Sequence, residues 1–361
     1  MNLRKLLSLG LAVVLAGFMM IGCGKDDEPV VGAGGDREVK VAAVTTPPNT
    51  GDIINDPVWD DIDIASIWIG TDSAYGSYFG PGVVRVQAIQ DGQNLYMRFN
   101  WVDSSETKKP GHWIFQEGPT PFLQVTDTIK GKNGNQLLNI GERLRNLWEN
   151  EDALALFIDY GNNGSERANC GSTCHLNTPN DIGETHYTTG GGNIDCWIWR
   201  AGRTDPFGIA EDFFWGAQQK YDQFDVALYQ RNARDLDTNF SEPRLMHTSG
   251  PLFTGDQLFT QDTTLLMFVG QNWQPGDHIS GYIYNQAFNT GNKSRYDVNA
   301  QAEYDAQMSR WNLVLWRTLA APNPAEDVAF EAGHSYEATL AIMRQNMQRH
   351  SGSQPFTLKF E

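Results

Sequence analysis

The stretch Cys170-Gly171-Ser172-Thr173-Cys174-His175 has the residue types and spacing for cofactor chemistry. Two thiols followed directly by an imidazole can attach haem covalently: each sulfur adds to a vinyl group, and the adjacent His is carried onto the iron. The usual motif has two residues between the cysteines; here Gly171, Ser172 and Thr173 intervene. Two other readings use the same atoms. In an oxidising compartment Cys170 and Cys174 form a disulfide, a tight loop that can be bridged with strain. The same donors also suit a metal ion. His186 lies further along, in Thr185-His186-Tyr187-Thr188. Two imidazoles, His175 and His186, would fill both axial positions of an iron; without the neighbouring motif His186 is simply a solvated loop residue.

A second candidate follows in Ile194-Asp195-Cys196-Trp197-Ile198-Trp199-Arg200. As a strand, it turns Trp197 and Trp199 to one face and Cys196, Ile198 and Arg200 to the other. The Trp pair is either a wall for a porphyrin or part of the core, the commoner fate of Trp on a strand. Cys196 either pairs with one of the two motif cysteines or stays as a buried thiol. Asp159 to Gly164 lacks the ligand spacing of a calcium loop and reads as a turn. Paired carboxylates such as Asp60 and Asp61 read as a solvated face. No nucleophile elbow, phosphate-cradling glycine loop or zinc-protease helix is present.

The elements around these residues read as β. Val83 to Gln90 and Leu95 to Trp101 alternate around Asp91-Gly92, a strong hairpin signal. In the second run Leu95, Met97, Phe99 and Trp101 share one face, with Tyr96, Arg98 and Asn100 on the other. Further strands are expected at Ala153 to Ile158, Ile194 to Trp199, Thr264 to Val269, His278 to Tyr284, Asn312 to Leu319, Ser335 to Ile342 and Pro355 to Phe360. Helix is expected only at Gln136 to Asn150 and Ala300 to Ser309. The pattern predicts an all-β, antiparallel β-sandwich with long loops and a few short helices. Gly161 to Gly192 is a long polar loop, and loops of that length are uncommon unless they are functional or disordered.

The start of the chain reads as an export signal. Arg4 and Lys5 precede an apolar run from Leu6 to Met20, too short and wrongly flanked for a stable span. Met20-Ile21-Gly22-Cys23 resembles the lipobox of bacterial lipoproteins, in which the Cys becomes the diacylglyceryl-modified N-terminus; Met20 stands where Leu is usual. Gly24 after the Cys favours, by that resemblance, the outer membrane over the inner one. The expected organisation is a signal peptide over 1–22, a lipidated N-terminus and flexible linker over 23–51, and one domain over 52–361. Val39 to Val44 is an apolar stretch inside the linker that also suits a first strand. No later segment reaches the roughly 18 apolar residues of a spanning helix, so the lipid is the only expected membrane contact. The net charge of −17 excludes nucleic acid and suits a basic partner.

Several segments in a shared order resemble the haem-binding family of ethylbenzene-dehydrogenase-related proteins, also described as a cytochrome c-552/DMSO-reductase-like haem-binding domain. They are Asp56 to Asp60, Val84 to Ala88 with Asp91-Gly92, Leu95 to Asp103, Glu151 to Leu156, and Cys170 to His175. Next come Trp197 to Ala201 with Arg203-Thr204, Arg317-Thr318-Leu319, Asp327 to Phe330 and His350 to Pro355. The resemblance implies a β-sandwich holding one haem for electron transfer. In some members a b-type haem is held by a Met and by the Lys of a Trp-x-Trp-Lys strand. Arg200 stands where that Lys would be, and a guanidinium cannot ligate iron. His186 stands near the family's Met position. Members with a Cys-x-x-x-Cys-His motif are the nearer match and imply covalent, c-type haem.

The expectation is an electron-transfer lipoprotein of the cell envelope, facing the periplasm or the cell surface, and not an enzyme. Cys170 and Cys174 would hold the haem; His175 and His186 would be its ligands, with Met97 and His350 in reserve. Its partner would be a basic redox protein or a multi-subunit oxidoreductase. The rival expectation is a carbohydrate- or ligand-binding module with a Cys170–Cys174 disulfide, in which some of the 11 Trp form an exposed stacking platform. A third is a structural subunit of a larger complex, marked by an extensive exposed apolar patch.

Overall fold

The alternating runs of the sequence become strands of one large sheet. The computed structural model describes residues 35–71, 81–115, 122–124, 151–160, 193–215, 229–232, 259–260, 278–279, 281–284, 294–321, 323–345 and 350–361. Its strands are β1 (Glu38–Ala43), β2 (Ala65–Ile69), β3 (Gly82–Gln90), β4 (Asn94–Val102), β5 (Trp113–Phe115), β6 (Phe122–Gln124), β7 (Ala153–Tyr160), β8 (Asn193–Arg200) and β9 (Glu211–Trp215). Then come β10 (Tyr229–Arg231), β11 (Phe259–Thr260), β12 (His278–Ile279), β13 (Tyr282–Tyr284), β14 (Asn299–Asp305), β15 (Arg310–Thr318), β16 (Ser335–Met343), β17 (His350–Gly352) and β18 (Phe356–Phe360). The main sheet runs β14-β15-β4-β3-β1-β18-β16-β7-β8-β9, with β2 on β3 and β17 on β16. The fold is all-β, and the described helical pieces are single 3-10 turns at Pro57–Asp61, Asp205–Phe207 and Ser294–Tyr296.

The sheet curls until its ends meet. Ala210 N donates to Val298 O at 2.9 Å and Ala300 N donates to Gly208 O at 2.8 Å, so the residues before β9 pair with the start of β14. The inner face is one continuous core. Leu95, Met97, Phe99 and Trp101 enter it from β4; Trp311, Leu313 and Leu315 from β15; Leu154, Leu156 and Ile158 from β7; and Trp197 and Trp199 from β8. Each set follows the two-residue period of a strand. The β3–β4 hairpin forms as its Asp-Gly signal predicts. Asp91 accepts from Gln93 N at 2.8 Å and Asn94 N at 2.7 Å, and Gly92 takes φ +86°, which favours glycine. Outside the sheet, Asp56 caps the turn that places Trp59 against Ile89, Tyr96 and Val314.

Three expectations are corrected. The sheet is not wholly antiparallel: β1 runs parallel to both β3 and β18, and the apolar stretch Val39 to Val44 supplies this central strand. Ala300 to Ser309 is not helical. Its first residues form β14, with Ala300 buried and Ala302 and Tyr304 packed on the core, because pairing with β15 overrides local propensity. His278 to Tyr284 is two short strands rather than one. Gly281 packs against Gly111 so closely that a Cβ would sit 2.3 Å from the Gly111 carbonyl oxygen. The expected helix at 136–150 and strand at 264–269 lie outside the described residues. Among those described, no helix is long and apolar enough to cross a membrane.

Phe99 is fully buried and Val102, at the end of the same strand, is 49% exposed. Phe99→Ala should cost about 3–5 kcal/mol in urea unfolding, whereas Val102→Ala should stay within about 0.5 kcal/mol. Equal costs would contradict the core assignment.

Candidate functional site

The β7–β8 hairpin carries the segment in which the motif lies. Its strands pair antiparallel from Ala153–Arg200 to Tyr160–Asn193. Residues 161–192 connect them, and Cys170, Cys174, His175 and His186 lie there, outside the described residues, as does Cys23. Both faces of the hairpin are buried. Leu154, Leu156, Trp197 and Trp199 line the core, while Ala153, Ala155, Phe157, Cys196 and Ile198 form a second apolar layer with Ala341 and Met343 of β16. The Trp pair is therefore in the core, at 0% exposure. Met97 is also a core residue at 0%. His350 starts β17 and is half-buried.

A polar joint closes the other end of the hairpin. Arg200 pairs with Glu211, which also receives Arg295 at 2.5 Å. Arg203 Nε meets Glu151 Oε1 at 2.5 Å, and Gly202 N donates to the other Glu151 oxygen at 3.0 Å. Arg200 N donates to Thr204 Oγ1 at 2.8 Å. Asp152 accepts from Thr107 N at 2.8 Å, Gln345 N at 3.0 Å and Trp311 Nε1 at 3.1 Å. Burial, then the Asp103 charge, pushes the Asp152 carboxyl up to about 7.

The inner face holds an ionic cluster near the start of β8. Strand alternation turns Arg317 of β15 into the interior, where its side chain is 0% exposed. Its guanidinium lies 3.3 Å from Asp195 of β8, 3.2 Å from Asp212 of β9 and 3.9 Å from Asp327, and donates to Val328 O at 2.5 Å. It sits over the rings of Trp197 and Phe330, at 5.0 and 5.5 Å from their centroids. Asp297, ahead of β14, feels the same guanidinium. The carboxylates outnumber the cation. Burial, reinforced by Asp195, pushes Asp212 well above the usual carboxylate range. Burial likewise lifts Asp297 to about 7, against the pull of Arg317, and Asp327 to about 6. The mutual repulsion and desolvation are relieved by protonation. Among the described residues no group of three or more His, Cys, Asp or Glu is arranged to hold a metal ion.

Of the stretches by which the sequence resembles a known family, all but Cys170 to His175 lie among the described residues. A family model described as ethylbenzene dehydrogenase matches residues 56–354. The chain belongs to the ethylbenzene dehydrogenase family. No curated protein matches it significantly. Among solved structures it is similar to a putative carbohydrate-binding protein from Bacteroides uniformis, at 10% identity and TM-score 0.37, covering 91% of this chain and 100% of that one. It is also similar to a family 9 carbohydrate-binding module from Caldicellulosiruptor kristjanssonii in complex with glucose, at 6% identity and TM-score 0.31, covering 90% and 95%.

The Arg317 cluster and the Asp152–Trp311 bond were not anticipated from sequence. Their signal was a charged residue at an inward position of an apolar strand: Arg317 in β15 and Asp195 in β8. Asp297 and Asp327 take up protons on folding, since burial lifts their carboxyls to about 7 and about 6, above the ordinary aspartate range. Their stabilising contribution is full below about pH 4 and is lost as pH rises through about 6 and 7. The difference in unfolding free energy between the protein and Asp297→Asn should therefore change with pH across that window; a constant difference would refute the raised value.

Proposed function

We propose that this chain is a haem-binding electron-transfer lipoprotein of the bacterial envelope, in a family whose matched model carries the name of a redox enzyme. The observation that carries the reading is the motif Cys170 to His175, set in the β7–β8 connection of a family member. The donor set fits haem: two thiols suited to vinyl addition and an adjacent imidazole suited to iron. Arg200 does not fit as a ligand, because it is a guanidinium engaged by Glu211. Cys170 and Cys174 would hold the group, with His175 and His186 as iron ligands. Haem would supply one-electron exchange.

What the chain's own residues do follows from their packing. The hairpin is buried on both faces and pinned at its far end by Arg203–Glu151 and Arg200–Glu211, so it gives the motif a stiff base. If His175 and His186 both held the iron, the group would serve electron transfer rather than substrate binding. The acidic balance of −17 would draw a basic redox partner or a multi-subunit oxidoreductase by long-range attraction. Lipid on Cys23 would hold the protein at the outer membrane.

The test is an absorption spectrum with a pyridine haemochrome assay and a denaturing-gel haem stain, on full-length protein made with a haem-maturation system. A Soret band with stain that survives denaturation is expected, and Cys170→Ala with Cys174→Ala should abolish the stain. A Soret band lost on denaturation would move the role of holding haem away from these thiols. No haem at all would overturn the reading in favour of a ligand-binding module with a Cys170–Cys174 disulfide. Separately, Cys23→Ser should shift the protein from the detergent phase to the aqueous phase in a partition assay.

A further inference from the structure

The core holds four tryptophans, three of them (Trp101, Trp199 and Trp311) in mutual ring contact, whose indole nitrogens differ in what they meet. Trp199 Nε1 donates to Asp205 Oδ1 at 3.0 Å, and Trp311 Nε1 donates to Asp152 Oδ2 at 3.1 Å. Among the described residues, Trp101 and Trp197 have no hydrogen-bond partner on their indole nitrogens. The two acid-paired rings are 5.1 Å apart between centroids, and Trp311 is 5.3 Å from Tyr304. Tyr304 is half-buried, and its hydroxyl donates to Asp103 O at 2.9 Å.

We propose that Trp199, Trp311 and Tyr304 form a relay that carries a one-electron vacancy between the core and the surface, with Asp205 and Asp152 as the proton acceptors of the two indoles. Oxidising an indole leaves a cation whose Nε1 proton becomes strongly acidic. A hydrogen-bonded carboxylate takes that proton and leaves a neutral radical, which makes the ring easier to oxidise. Asp205 and Asp152 are suited to this: burial raises the proton affinity of both, to pKa values of about 6 and about 7. The groups facing them are Lys108 and Glu106 at Asp205, and Asp103 at Asp152. The Lys108 ammonium lies 5.6 Å over the Trp311 ring and opposes a cation there, so passage through Trp311 requires that its proton leave for Asp152. Trp197 lies beneath the Arg317 guanidinium and has no acceptor. It is closed to the vacancy on both counts. Trp101, 6.1 Å from Trp199, is a packing neighbour without an acceptor.

The steps balance. An oxidant takes one electron from Trp199, whose Nε1 proton passes to Asp205. Trp311 returns an electron to Trp199, which recovers its proton from Asp205, while Trp311 gives its own proton to Asp152. Tyr304 then returns an electron to Trp311, which recovers its proton from Asp152, and the phenol proton goes to water. A thiol- or ascorbate-class reductant restores Tyr304 with one electron and one proton. The relay does not rest on the haem reading, because it needs only a strong one-electron oxidant.

The test supplies that oxidant. Phe207 is 41% exposed and lies two positions from Asp205, so a ruthenium polypyridyl complex tethered to Phe207→Cys and oxidised by flash-quench starts the vacancy beside Trp199. Unsubstituted protein treated with the same label sets the background. Transient absorption should show an indolyl radical that decays as a tyrosyl radical rises. Tyr304→Phe should abolish the tyrosyl signal and prolong the indolyl one, and Asp205→Asn should replace the neutral indolyl spectrum with that of the indole cation. Tyr304 is at the periphery, so its variant keeps the test open even if a core Trp substitution does not fold. Identical radical kinetics in the parent and Tyr304→Phe, or an unchanged spectrum in Asp205→Asn, would overturn the relay.

Discussion

A guanidinium locked inside an apolar sheet is the constraint around which this fold is arranged. Alternation on β15 sends Trp311, Leu313, Leu315 and then Arg317 to the same interior face. A buried, unpaired guanidinium is untenable, so the strands that close the sheet must bring carboxylates to it. Asp195, Asp212 and Asp297 come from or beside the strands at the two ends of the sheet path. One side chain thus links ends that, among the described residues, the backbone joins through the short pairing of Gly208 and Ala210 with Val298 and Ala300. Such a cluster is weak evidence of net stability, because desolvation offsets much of the attraction. What it imposes is a single way to close: any other register would leave charge buried and unpaired.

The same logic operates at the far end of the β7–β8 hairpin, with Glu151, Arg203, Arg200, Glu211 and Arg295. Between these two ionic ends the hairpin is apolar on both faces. In this chain the apolar runs of the hairpin build the core, and charged residues pin its two ends.

Strand positions were legible because burial on one or both faces imposes a two-residue period that needs no tertiary information. The β3–β4 hairpin was legible from Asp91-Gly92 alone. Ala300 to Ser309 was misread because Ala, Gln and Glu favour helix locally, while the decisive contact, pairing with β15, depends on a register that composition does not carry. The parallel pairing of β1 was hidden for a related reason: an isolated apolar run says nothing of its partners. At the site, Trp197 and Trp199 share a face as expected, and that face is the core. The Arg317 cluster was hidden because its members are scattered along the chain and meet only when the sheet curls.

The placement of β1 has a consequence for how the molecule reaches this state. Residues Glu38 to Val41 lie alongside Thr357 to Phe360, so strands from opposite ends of the sequence are neighbours in the middle of the sheet. Contacts of such long sequence separation slow folding, since loop-closure entropy is spent before they form. The central seam of the sheet, between β1 and β18, cannot form until both of these strands are present. That seam therefore belongs to the late events of folding, after local hairpins such as β3–β4 have formed.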